Sequence, residues 1–315
     1  MIKCAGKDCK ILLLGGTGFV GSVITPYISD FSEVFIPYRG ERPLGGSNIQ
    51  FIKCDSNKFW SSLIDSTKNI KFDFILNLIR TDFDKAFFME LIDFIKKQKI
   101  KNNKCKVLHF SSIAEYRKIK KGYSWSKVNE RNILCSKNIC DAILTLPIVR
   151  ENPKIRSDLA PLMPKILGCK KLLNNMMISS ISPEFLCMSV RTLLQDLMPY
   201  DNKNRDYTAI SDIESFGDFL GVNPDAYSEY NTNDLRQEIV GRLDISNHLK
   251  EKILGYLDIA DIDDEQSRSR YNHHLTFGNQ KSFFDCHGTP VIYQDVVWVQ
   301  ESNYVKLFPK AKLST

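Results

Sequence analysis

Residues 10–146 alternate short apolar runs with amphipathic stretches. Residues 11–14 read as a first strand, 34–38 as a second, 49–52 as a third, 72–79 as a fourth, 107–110 as a fifth and Ala142–Leu146 as a sixth. The run FDFILNLI at 72–79 is almost continuously apolar, as expected of a strand covered on both faces. Phe19–Ser29 reads as a helix, and Phe87, Leu91, Phe94 and Ile95 fall on one face of a second helix over 87–99. Strands alternating with helices predict an α/β fold, a doubly wound parallel sheet with right-handed crossovers.

The rhythm changes after Pro147. Prolines at 147, 153, 161 and 164 break the chain, and helical patterns follow at 191–198 and 235–243. Polar stretches at 201–205 and 261–272 separate them, and 291–299 reads as a further strand. The expected division is a Rossmann domain over 1–150 and a smaller C-terminal substrate lobe over 151–315, with sheet-completing elements near 178–215. Neither repeats nor low-complexity tracts are visible.

Composition narrows the class. A chain of 315 residues, 43% hydrophobic and 25% charged, is ordinary for a globular protein. Its 43 basic and 37 acidic residues leave a net charge of +6, mild enough for a nucleotide-sized anionic ligand. No long basic stripe with interleaved aromatics points to nucleic acid, and Arg117, Lys118, Lys120 and Lys121 read as a solvated loop. Nine scattered cysteines without a CxxC suggest reduced thiols and a cytoplasmic setting. No stretch approaches the about 20 apolar residues of a membrane span.

The most specific segment is KILLLGGTGFVG at 10–21, where apolar strand residues run into Gly15, Gly16, Thr17, Gly18, Phe19, Val20 and Gly21 and then into a helix. A tight strand-to-helix turn calls for positive φ, and a pyrophosphate must approach the backbone with no Cβ in the way. The helix N-terminus then offers free N–H groups to the phosphates. The lysine of a P-loop is absent, which disfavours ATP hydrolysis.

The end of the second strand distinguishes NAD from NADP. An acidic residue there would bind the ribose 2′-hydroxyl; the strand instead ends Ile-Pro-Tyr-Arg39-Gly. Arg39 suits adenine stacking and a 2′-phosphate, which favours NADP over NAD. Asp55, after the third strand, is a candidate for the adenine amine.

The fifth strand ends His109-Phe-Ser111-Ser112, and Tyr123-Ser-Trp-Ser-Lys127 follows. Tyrosine and lysine four apart share a helix face. A phenol near pKa 10 is a poor base at neutral pH, and a neighbouring ammonium lowers that value. Tyr123 then exchanges a proton with a substrate oxygen that Ser112 holds, while Lys127 also reaches the nicotinamide ribose.

With these pieces in order, residues 10–150 resemble the extended short-chain dehydrogenase/reductase superfamily, in its NAD-dependent epimerase/dehydratase branch. The matching segments are GGTGFVG at 15–21, CD at 54–55, FSSIAEY at 110–116 and YSWSKVNE at 123–130, with Glu130 one position early for the family's pattern. The resemblance implies Ser112, Tyr123 and Lys127 as catalytic residues, a nicotinamide cofactor, a nucleotide-sugar or similar hydroxyl or carbonyl substrate, and a homodimer formed through helices. Several features depart from the pattern. The segment between Ser112 and Tyr123 is short. Leu78 and Arg80 stand at the tip of the fourth strand, where the family has small alanines beside the cofactor. Arg150-Glu-Asn-Pro153 replaces a Gly-Pro. These departures motivate the alternative of a non-catalytic relative that senses NAD(P) or binds RNA. His273-His274 with Cys286-His287 fits no standard zinc spacing, so no metal is expected.

Overall fold

The computed structural model describes residues 9–41, 46–80, 84–113, 122–150, 159–197, 205–210, 212–227, 229–245, 247–261, 283–284, 290–291 and 296–300. The first half carries β1 (Lys10–Leu14), α1 (Phe19–Ser29), β2 (Glu33–Tyr38), β3 (Ile49–Lys53), α2 (Phe59–Ser66), β4 (Phe74–Asn77), α3 (Lys85–Lys101), β5 (Lys106–Ser112), α4 (Gly122–Ser136) and β6 (Ala142–Leu146). The second half carries β7 (Ile148–Val149), α5 (Met163–Gly168), α6 (Lys170–Asn175), β8 (Met177–Ile181), α7 (Pro183–Thr192), β9 (Arg205–Ile210), β10 (Asp212–Ser215), α8 (Phe216–Leu220), α9 (Thr232–Gly241), α10 (Asn247–Ala260), β11 (Phe283–Phe284), β12 (Pro290–Val291) and β13 (Val296–Gln300).

The central sheet has eight strands among the described residues, in the order β13-β9-β6-β5-β4-β1-β2-β3, and every pairing is parallel. Strand order reverses between β1 and β4, so the crossovers after β1 and after β4 leave in opposite directions and open a crevice at the carboxyl edge.

Alternation along the strands supplies both faces. Ile11, Leu13, Phe74, Leu76 and Leu144 pack with Ile24 and Ile28 of α1 and Phe185 and Val190 of α7. Leu12, Leu14, Ile75, Val107 and Ile143 pack with Leu63 of α2, Leu91 and Ile95 of α3 and Leu134 of α4. A third core lies away from the sheet and joins Leu162, Leu172, Phe216, Leu235, Tyr256 and Leu257. Beside it β10, β8 and β7 form a small sheet, and Arg150 bridges it by donating to Ser180 Oγ at 3.0 Å and to Glu214.

Local chemistry corrects several sequence boundaries. The fourth strand is Phe74–Asn77 rather than 72–79. Asp73 turns its carboxylate to Lys10 N at 2.9 Å, and Asn77 Oδ1 accepts the Ile79 N–H at 3.2 Å, so side-chain hydrogen bonds join the backbone ones at both ends of the strand. The helix expected at 191–198 begins at Pro183, because Ser182 caps it by accepting from Phe185 N. It ends at Thr192 and passes into a π-helical turn, Leu193–Leu197. The strand expected at 291–299 is two: Pro290–Val291 pairs antiparallel with β11, and Val296–Gln300 extends the main sheet beside β9. Among the described residues no helix is long and apolar enough to cross a membrane.

Candidate active site

The glycine turn sits at the carboxyl end of β1, in the crevice where strand order reverses. Gly15 adopts φ +82°, a conformation that costs any L side chain, and a Cβ there would lie 3.0 Å from the carbonyl carbon of Leu78. A Cβ on Gly21 would lie 2.5 Å from Gly16 Cα and 2.6 Å from Gly15 O, so glycine at 21 lets the first turn of α1 rest on the loop. Gly18 N donates to Gly15 O at 3.0 Å, closing the turn. Thr17 and Gly18 are exposed and Phe19 and Val20 half-buried, so the loop presents backbone to solvent. The first turn of α1 carries no acidic residue and Gly18 gives no side-chain cap, which leaves a positive helix end at the crevice. This bare, Cβ-free cradle fits a dinucleotide pyrophosphate.

Arg39 follows β2 at the surface, its guanidinium carbon 5.6 Å from the Phe59 ring centroid. Asp55 is exposed, and its Oδ1 is occupied by Asn57 N at 2.7 Å and Lys58 N at 3.0 Å. That local turn leads the chain into α2. Leu78 is half-buried against Gly15, whereas Arg80 is exposed.

Ser111 is buried and Ser112 half-buried at the end of β5, beside Thr145 and Leu146 of β6. The backbone of Tyr123 lies in the first turn of α4; its side chain falls outside the described residues, as do Tyr116, Arg117 to Lys121 and the His273, His274, Cys286 and His287 group. Lys127, 5% exposed, donates to Glu130 Oε2 at 2.7 Å, and Ser126 Oγ donates to Glu130 Oε1 at 3.3 Å. Glu130 is 3% exposed, so the early glutamate noted in the sequence closes a buried ion pair with the lysine.

Sequence reasoning missed two polar residues beneath this helix. Asn77 and His109 are register partners on β4 and β5, both buried, with Asn77 Nδ2 3.0 Å from His109 Nδ1. Burial, with the positive charges of Lys127 and Arg131, holds the imidazole well below the ordinary histidine pKa. The available signal was a polar residue set among buried apolar ones in each of two strands, Asn77 after Phe74-Ile-Leu and His109 between Leu108 and Phe110. No group of three or more His, Cys, Asp or Glu is placed to hold a metal among the described residues.

No family model matches the sequence, and no curated protein matches it. Solved structures do match. A nucleoside-diphosphate-sugar epimerase from Staphylococcus aureus aligns over 91% of this chain and 98% of its own, with 11% identity and a TM-score of 0.57. The dTDP-glucose 4,6-dehydratase of Bacillus anthracis, solved in complex with NAD, aligns over 76% and 93%, with 13% identity and a TM-score of 0.53. A thiolation-reductase di-domain from an archaeal non-ribosomal peptide synthetase is also similar, over 88% of this chain and 73% of its own, with 13% identity and a TM-score of 0.55. The fold is the one these solved structures share, a parallel α/β sheet with helices on both faces. Within that architecture the glycine turn, the β5 serines and α4 all stand at the carboxyl edge of the parallel sheet.

Proposed function

We propose that this chain is an NAD(P)-dependent enzyme of the extended short-chain dehydrogenase/reductase type, acting on a nucleotide-sugar or related hydroxyl or carbonyl substrate. The observation that carries the reading is the glycine turn: positive φ at Gly15, Cβ-free contact at Gly21, and an uncapped α1 N-terminus at the switch point. The similarity in fold to a sugar-nucleotide epimerase and to a dehydratase solved with NAD supports it.

On this reading the backbone of 15–21 holds the pyrophosphate and Arg39 the adenosine end, with NADP preferred over NAD. When bound, the nicotinamide supplies or accepts hydride. Ser112 orients the reacting oxygen and Tyr123 carries its proton. Lys127 holds the ribose and lowers the phenol's pKa, while Glu130 fixes the ammonium. The part outside the main sheet, built on the core of Leu162, Leu172 and Leu257, supplies substrate contacts, and a homodimer through helices is the expected assembly by analogy of fold.

One observation favours a second reading. The ammonium that would serve the tyrosine already pairs with a buried carboxylate, which suits a chain that binds the dinucleotide without turning it over. Calorimetric titration with NADH and NADPH, then a turnover screen of sugar nucleotides with wild type and Tyr123→Phe, separates the two. The enzyme reading expects NADPH to bind more tightly, wild-type turnover, and loss of turnover in Tyr123→Phe with cofactor binding retained. Tight binding without turnover of any substrate supports the sensor, and absence of dinucleotide binding overturns both.

A further inference from the structure

Asn77 and His109 are buried polar residues on neighbouring strands, and the parallel register sets them side by side. Asn77 Oδ1 accepts the Ile79 N–H at 3.2 Å, which fixes which end of the amide faces the ring. Its Nδ2 therefore donates to His109 Nδ1 across 3.0 Å. With Nδ1 accepting, a neutral imidazole carries its hydrogen on Nε2. That Nε2 is buried without a hydrogen-bond partner among the described residues. For packing alone, an apolar ring of similar volume would fill the space without that cost.

The pair reaches beyond its own strands. Leu78 N donates to Leu14 O at 2.9 Å, and the Leu78–Ile79 peptide is the wall that Gly15 faces: a Cβ there would lie 3.0 Å from Leu78 C and 3.2 Å from Ile79 N. Asn77 holds Ile79 N, and His109 holds Asn77. On the far side, the charges of Lys127 and Arg131 on α4 act on the same imidazole. A protonated ring could not accept from Asn77, so the link exists only while His109 is neutral.

We infer that Asn77 and His109 are positioning residues for the dinucleotide: the neutral imidazole on β5 holds the amide that keeps the Leu78–Ile79 peptide against the Gly15 turn, setting the width of the crevice. The inference rests on the dinucleotide-binding reading given above.

The test combines NADH calorimetry with long-range 1H–15N histidine spectra of the full chain. The spectra of the wild type should show one ring in the neutral Nε2–H form that does not titrate between pH 5.5 and 8. His109→Phe keeps the volume and removes the acceptor; NADH affinity should fall about tenfold, the loss of one buried hydrogen bond. His109→Asn restores an acceptor near the Nδ1 position and should bind within about twofold of wild type, which a loss of packing alone would not produce. Asn77→Leu tests the link from its other end and should also weaken NADH about tenfold, and the spectra need no variant. Wild-type affinity in both His109→Phe and Asn77→Leu overturns this inference alone, as does a His109 ring that carries its hydrogen on Nδ1. A wild type that binds no dinucleotide overturns the reading of the crevice and this inference with it.

Discussion

The Lys127 ammonium lies 2.7 Å from Glu130 Oε2, three residues along the same helix, with 6% and 4% of the two side chains exposed. Two charges taken this far out of water hold each other in place, and removing one strands the other. Lys127→Met and Glu130→Leu should each destabilise the fold by about 3–5 kcal/mol. The double variant Lys127→Met/Glu130→Leu should cost much less than their sum. Urea unfolding of the four proteins measures the coupling. Additive losses would show that the pair contributes nothing jointly.

The glycine turn makes a second prediction. Gly21→Ala forces a methyl to within 2.6 Å of Gly15 O and Gly16 O, so α1 must lift from the loop. Destabilisation of about 1–3 kcal/mol is expected from such overpacking, together with loss of dinucleotide binding. Gly15→Ala adds the strain of φ +82°, about 1–2 kcal/mol. Thermal unfolding and NADH titration on the same samples read both effects, and an unchanged melting temperature in Gly21→Ala would contradict the close approach.

His109 ties stability to pH. Its folded pKa lies well below the ordinary value of 6.5, chiefly through burial. Above 6.5 both states are neutral and the contribution to stability is complete. Below 6.5 the unfolded chain takes up a proton that the folded one refuses, so stability falls with pH down to the folded pKa. The loss approaches about 1.4 kcal/mol per pH unit. The difference in unfolding free energy between wild type and His109→Phe, followed from pH 8 to pH 5, should carry this slope only below 6.5. A pH-independent difference would mean that the ring titrates normally in the folded protein.

Buried thiols should be inert in the native state. Burial pushes Cys105 up to about 12, and Cys54 and Cys187 each up to about 11. At pH 8 these groups carry almost no thiolate, the form that reacts. Iodoacetamide followed by mass spectrometry should leave all three unmodified in the folded protein and modify them fully in denaturant. Rapid native labelling of Cys105 would be incompatible with its position in the core.

The α/β frame follows from the order of residue types along the chain. Strands buried on both faces need unbroken apolar runs, and the turn between β1 and α1 needs glycine where no Cβ fits, so both are written in local residue types. The start of the helix after Ser182 is legible from its cap and proline, whereas the apolar periodicity at 191–198 does not mark where a helix begins. Strand partners and side-chain pairs arise only on assembly. A run such as 291–299 carries no label for its partner strand; only assembly put Val296–Gln300 beside β9. Asn77 and His109 are 32 residues apart and became a pair through the register of β4 on β5. The sequence supplies the side chains, but hydrogen bonding between distant groups and the burial that shifts their protonation exist only once the strands lie together.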